Sequence, residues 1–234
     1  KRIVIGVQYS PPKGADGHLW NASGVATLLE SARVLADNAD KLPVAVELVA
    51  YATAGMAANG TLDMGSFHHA SSLKKRGVDV DVMLALRSTG YYRNDIHSQK
   101  YPFSFMRMLY PDTADFISLS SRLGDFGVIR SVKQSFSRVA GLPVESVSGP
   151  ENFPLVGGSD HENYWSHNFS ALQVSDLLEY RLTKKDASEQ AIALDYQKMS
   201  RVVQALHQTV IDSNDDRDGS FFSDLVGSVT TLFN

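Results

Sequence analysis

The chain has 234 residues, enough for one large hydrophobic core and short for two independent ones. Its formal charge of −4, with no run of lysine and arginine, argues against binding to nucleic acid or to an acidic membrane surface. Cysteine is absent, which excludes disulfides, thiolate zinc sites and cysteine nucleophiles, and no apolar run approaches the roughly 18 to 20 residues of a membrane span. A first residue that is lysine is compatible with removal of an N-terminal segment, so a missing signal peptide does not assign the chain to the cytoplasm.

The chain opens on an apolar strand, Ile3-Val4-Ile5-Gly6-Val7. A helix follows near Asn21-Ala22-Ser23-Gly24, with Val25, Leu28, Leu29, Ala32 and Leu35 spaced to form one apolar face. Val44 to Tyr51 is the next strand, and strand–helix–strand order of this kind starts a parallel α/β core. Ligands in such a core sit at the carboxyl ends of the strands, here the residues from Gln8 to Trp20 and those just after Tyr51.

Beyond an Ala/Gly-rich stretch, Ala52 to Gly60, a helix is predicted from about Asp63 to Arg76, with Met64, Phe67 and Ser71 inward and Gly77 as its stop. Val80 to Leu86 reads as a fully buried strand ending at Arg87. Gly90-Tyr91-Tyr92-Arg93 begins a long irregular segment, and Phe116 to Leu119 is a short strand. Phe126, Ile129, Val132 and Phe136 mark a helix, and Val144 to Val147 a strand. Gly157-Gly158-Ser159-Asp160-His161 leads into a short helix or turn at Glu162 to His167, and Ala171 to Val174 is the last core strand. Asp195 is a suitable N-cap for a final helix with Met199, Val202, Val203, Leu206 and Val210 buried. Asp212 to Asp218 reads as a solvated connector, and Phe221 to Phe233 as a terminal segment laid on the domain.

Several phrases, in a shared order, resemble the M28 family of zinc aminopeptidases, especially its bacterial members. They are Asn21-Ala22-Ser23-Gly24-Val25, Met64-Gly65-Ser66, Gly90-Tyr91-Tyr92, Ser98-Gln99-Lys100-Tyr101-Pro102-Phe103, Ser159-Asp160-His161, Tyr180-Arg181 and Leu194-Asp195-Tyr196. The similarity runs from Ile3 to about Leu206. It implies a three-layer α/β sandwich around a mostly parallel, eight-stranded sheet, as one domain over residues 1–234 that lacks the family's usual N-terminal elements. It also permits a secreted or periplasmic location.

The resemblance further implies a pair of zinc ions held by a His-x-Asp after the first strand, yet the matching positions are Gln8-Tyr9-Ser10. The family's bridging aspartate falls on Trp20, and its paired glutamates, a metal ligand and the general base, fall on Ala54 and Gly55. Another carboxylate falls on Arg87, and the last histidine falls on Lys185 or Asp186. Zinc needs imidazole or carboxylate donors at about 2.0 to 2.2 Å, and an indole, a methyl group or a guanidinium offers none. Without metal or base, neither a Lewis acid nor an activated water is supplied. Neither zinc nor any other cofactor is therefore expected.

Losing the dications and their carboxylates together avoids uncompensated charge. Trp20 is expected to fill part of the old metal volume, and Arg87 to pair with Asp160 or Asp186; the alternative is an exposed strand-end arginine. Asp160 and His161 border the active site in the family, and they equally suit a loop tether. His18, Asp160, His161 and Asp186 compose the one alternative single-metal set. His68, His69 and His207 are expected on helices as surface or packing residues, and His97 and His167 on loops. Tyr91, Tyr92, Phe103, Phe105, Tyr164 and Trp165 either line a peptide-sized pocket or anchor long loops. The leading expectation is an inactive M28 homologue that binds a peptide or protein partner. Its alternatives are a hydrolase with an altered or metal-independent site and a structural subunit of a larger assembly.

Overall fold

The computed structural model describes residues 1–9, 21–52, 64–182 and 193–213. Within them lie six strands, β1 (Arg2–Gln8), β2 (Ala45–Tyr51), β3 (Val80–Arg87), β4 (Ile117–Arg122), β5 (Val144–Gly149) and β6 (Ala171–Ser175). Five α-helices accompany them: α1 (Ala22–Ala36), α2 (Gly65–Lys75), α3 (Phe126–Ser137), α4 (His161–Trp165) and α5 (Tyr196–Asp212). The sheet order is β2-β1-β3-β6-β4-β5. β1, β2, β3 and β6 run parallel, β4 opposes β6, and β5 runs with β4.

The aliphatic runs of β1 and β3 are explained by helices on both faces of the sheet. Ile3, Ile5, Val7, Val82, Leu84 and Leu86 point to one side, where α1, α3 and α5 contribute Leu28, Leu35, Ile129, Val132, Phe136, Val202 and Leu206. Val4, Met83 and Ala85 point to the other, against Ala70 and Leu73 of α2 and Tyr164 and Trp165 of α4. Alternation along each strand thus builds a three-layer α/β sandwich. Six strands lie in the described residues, against the eight that the resemblance implies.

The final helix forms as its spacing predicts. Asp195 accepts a hydrogen bond from the Lys198 N–H, and Met199, Val202, Val203, Leu206 and Val210 are buried. Gly77, at φ 63°, closes α2 in a conformation that disfavours side chains.

Other faces differ from the sequence reading. Leu29 is 66% exposed, and Ser23, Thr27 and Ser31 share the inner face of α1 with Leu28 and Leu35. The reason is a backbone neighbour: the Ser23 hydroxyl accepts from the Thr89 N–H at 3.0 Å, and the Thr27 and Thr89 hydroxyls meet at 2.8 Å. Small polar groups fit there and leucine does not. On α2 the buried residues are Ser66, Ala70 and Leu73, and Phe67 and Ser71 are half-buried. Phe126 is exposed at the start of α3, β4 runs three residues beyond Leu119, and α4 starts at His161 and ends at Trp165. Residues 214–218 and 221–233 of the expected terminal segments lie outside the described residues.

Candidate functional site

One side chain bridges the carboxyl ends of the paired strands β1 and β3. Asn21 stands at the N-cap of α1 but makes no side-chain capping bond; its Nδ2 donates to the Gln8 carbonyl at 2.9 Å and to the Leu86 carbonyl at 3.2 Å. Gln8, Asn21, Arg87, Gly158 and Ser159 then line a narrow cleft, with a cavity volume of about 10 Å³, the room of roughly one water. Three sequence signals therefore converge at one place: Gln8, Arg87 and the Gly157–His161 loop.

Arg87 does not pair with Asp160. Its Nη1 lies 3.5 Å from Oε1 of Glu179, and the two side chains are 27% and 39% exposed. The displacement has a topological cause. Glu179 lies on the turn after β6, and β6 is the parallel neighbour of β3, so both residues reach the same end of the sheet. Gly158 stands at φ 94°, and a Cβ placed on it would lie 4.0 Å from Arg87 Nη1. Its N–H donates to Glu162 Oε1 at 2.7 Å, which fixes the loop.

Asp160 and His161 are both buried, in different surroundings. Neither Asp160 oxygen has a hydrogen-bond partner among the described residues. Burial pushes its carboxyl up to about 6, and the nearby Ser66 side chain opposes that rise without meeting hydrogen-bond geometry. The Ser66 hydroxyl accepts from Asn163 Nδ2 at 2.8 Å. His161 donates from Nε2 to the Val156 carbonyl at 2.6 Å and stands edge-on to Trp165, with ring centroids 4.5 Å apart. Burial pushes this imidazole down to about 4, the Val156 carbonyl opposes the shift, and the Arg87 charge adds to it. His161 is thus neutral near pH 7, and its Nδ1 has no partner among the described residues.

Two polar networks were not visible as sites in the sequence. In the first, Asp176 accepts from the Ser88 hydroxyl and from the N–H groups of Gly90, Tyr91 and Leu178, all within 2.9 Å. Beside it, Arg181, 1% exposed, donates to Gln99 Oε1 and to the carbonyls of Tyr91 and Phe116 at 2.7 to 2.8 Å. Its guanidinium also lies over the rings of Phe116 and Tyr92. In the second, Arg2 donates to Glu47, and Glu47 accepts from His69 Nε2 at 3.1 Å. His69 Nδ1 meets the Tyr164 hydroxyl at 2.6 Å, which meets the Tyr51 hydroxyl at 2.7 Å. The Tyr51 hydroxyl also lies 3.2 Å from His69 Nδ1, so the two hydroxyls and the imidazole close a triangle beside Glu47.

Tyr91, Tyr164 and Trp165 are buried packing groups, and Phe103 and Phe105 stack on each other at an exposed loop. Ser10, His18, Trp20, Ala54, Gly55, Lys185 and Asp186 lie outside the described residues. Among the described residues no three His, Asp or Glu side chains gather as a metal site.

No protein-family model matches the chain. An uncharacterized Escherichia coli K12 protein, YfbL, is 40% identical over 196 residues, which is 83% of this chain and 58% of that protein. Among solved structures, the LapA aminopeptidase of Legionella pneumophila superposes with a TM-score of 0.65 at 16% identity, covering 92% of this chain and 52% of LapA. A Zn-dependent exopeptidase from Parabacteroides distasonis gives a TM-score of 0.56 at 13% identity, covering 93% of this chain and 74% of that one. The architecture is therefore that of a zinc-aminopeptidase-like fold. The chain spans 58% of the length of YfbL and about half that of LapA.

Proposed function

We propose that this chain is a degenerate member of the M28 zinc aminopeptidase family, whose former metal cleft binds a peptide or protein segment without hydrolysing it. The observation that carries this reading is Arg87. At the end of β3, where the resemblance calls for a carboxylate ligand, stands a half-buried guanidinium in an ion pair with Glu179. Its charge opposes a dication at that place, and its nitrogens carry protons where a metal needs lone pairs. Gln8 supplies only an amide at the end of β1, and Ser10, Trp20, Ala54 and Gly55 offer none of the imidazole or carboxylate donors matched to their positions. The residues present do not fit the zinc pair.

The test is metal analysis of protein purified without chelator, paired with hydrolysis of aminoacyl-anilides in added zinc. The expected result is substoichiometric zinc and no saturable turnover, and a shift in melting temperature with a subset of peptides, because a ligand selective for the native state raises apparent stability. Two zinc ions per chain with zinc-dependent turnover would overturn the reading.

A second reading rests on Asp160. A buried carboxyl pushed up to about 6 lies in the range where a side chain exchanges protons efficiently at neutral pH. A metal-independent hydrolase would use it as acid or base. Turnover in chelator that disappears in Asp160→Asn would favour that alternative.

A further inference from the structure

The location of Arg87 suits a ligand, but it is the contacts of the guanidinium that set it apart. A guanidinium offers five N–H donors in a planar fork, and a well-seated carboxylate takes two of them at about 2.7 to 2.9 Å. Arg87 makes one ion pair with Glu179, at 3.5 Å, through one nitrogen and one oxygen. Two other arginines show what a structural strap looks like in this fold. Arg181 is buried, makes three hydrogen bonds of 2.7 to 2.8 Å and lies between two aromatic rings. Arg122 contacts Asp125 at 3.1 Å and the Phe169 carbonyl at 3.3 Å, and lies over Trp165. Among the described residues Arg87 has neither a backbone carbonyl nor an aromatic face.

Among the described residues, nothing but Glu179 pairs with the fork. Gln8, Asn21 and Ser159 are neutral, and Gly158 places no side chain against Nη1. β3 lies between β1 and β6, so its carboxyl end is at the middle of the parallel part of the sheet, where ligands of open α/β folds bind.

We propose that Arg87 is the anion-recognition residue of this cleft, taking a carboxylate of a bound peptide, and that Glu179 is the internal carboxylate which that ligand displaces. The proposal rests on the peptide-binding reading given above and adds the chemistry of the group recognised. A loose internal ion pair is a suitable resting partner: it satisfies the guanidinium charge and is exposed enough to exchange.

The experiment is calorimetric titration of the whole chain with a matched set of probes. These are an acetylated alanine hexapeptide with a free C-terminus, the same peptide amidated, the amidated peptide with one glutamate, and inorganic phosphate. The expected result is binding of one or both carboxylate peptides and not of the neutral amide. Arg87→Gln should then lose about tenfold or more in affinity, as for a charge-assisted hydrogen bond. Glu179→Gln should gain roughly two- to fivefold, as for removal of an exposed competing pair. Because Arg87→Gln could disturb the cleft, the Arg87 Nε–H resonance of the unaltered protein is followed in parallel and should move with the carboxylate peptides alone.

If the neutral amide binds as tightly as the acids and the Arg87 resonance stays still, the carboxylate proposal falls and peptide binding stands. If only phosphate binds, through Arg87, the peptide-carboxylate proposal falls together with the reading it rests on. If no probe binds either the native chain or Glu179→Gln, the proposal is overturned.

Discussion

Asp160 and His161 are neighbours that titrate in opposite senses. Asp160 has a folded value of about 6 against an ordinary 3.8, so its contribution to stability is present below pH 4 and is lost as pH rises through 6. At pH 7 its ionised form costs about 3 kcal/mol, from the difference between the two values. His161 has a folded value of about 4 against 6.5, so its contribution is present above pH 6.5 and is lost as pH falls through 4. The two slopes largely cancel between pH 4 and 6.5. Urea denaturation of Asp160→Asn should therefore show a gain of up to about 3 kcal/mol at pH 7 and almost none at pH 4. It should also show a steeper loss of stability on acidification than the native chain. An unchanged midpoint at pH 7 would mean that Asp160 has a partner which compensates its charge. The Ser159-Asp160-His161 motif picked out in the sequence a loop that lies beside Gln8 and Arg87. Its burial and unmatched oxygens were not legible there, because they depend on Ser66, Val156 and Trp165 arriving from the surrounding elements.

Among the elements, helices with one polar and one apolar face were the most legible. The inner stripe of α5 was read residue by residue, since a 3.6-residue period is a local property and Asp195 caps through its own neighbour Lys198. Asp195→Ala should lower stability by about 1 kcal/mol, measured by thermal or urea unfolding. The long irregular segment after β3 was legible only as irregular. What orders it is Arg181, which joins Gln99, Tyr91 and Phe116 across 65 to 90 residues of sequence, a distance no spacing rule spans. Removing the guanidinium strands three acceptors and leaves the Asp176 charge without its nearest cation. Arg181→Met should cost about 3 to 5 kcal/mol. Arg181→Lys should recover only part of it, because one ammonium cannot reproduce the planar fork. Amide hydrogen exchange should locate the loss of protection in residues 90–116. Retained protection there would refute the strap.

At the scale of the whole molecule, the parallel half of the sheet followed from its βαβ order, but the reversal at β4 did not. Strand direction is set by the path of the 88–116 connection and by which neighbour β4 finds, and both are tertiary outcomes. The same topology leaves β2 outermost, paired on one side by β1 within the described residues. Along its margin with α1, residues including Leu35, Leu42, Val44, Val46 and Leu48 line an apolar groove of about 610 Å³. An open strand beside an apolar groove is a template for edge-to-edge association unless something guards it. Glu47, at the centre of β2 and turned inward to Arg2 and His69, is such a guard: pairing there would bring a second copy against a partly desolvated carboxylate. Burial pulls the Glu47 carboxyl up, but hydrogen bonds from Arg2 and His69 together outweigh it and hold the group below its ordinary value, so the guard is charged across physiological pH. Glu47→Val should therefore raise the weight-average mass with concentration in light scattering. Glu47→Gln keeps an acceptor for His69 and should do so less. Identical, concentration-independent masses for both variants and the native chain would show that the edge is protected by something other than this charge.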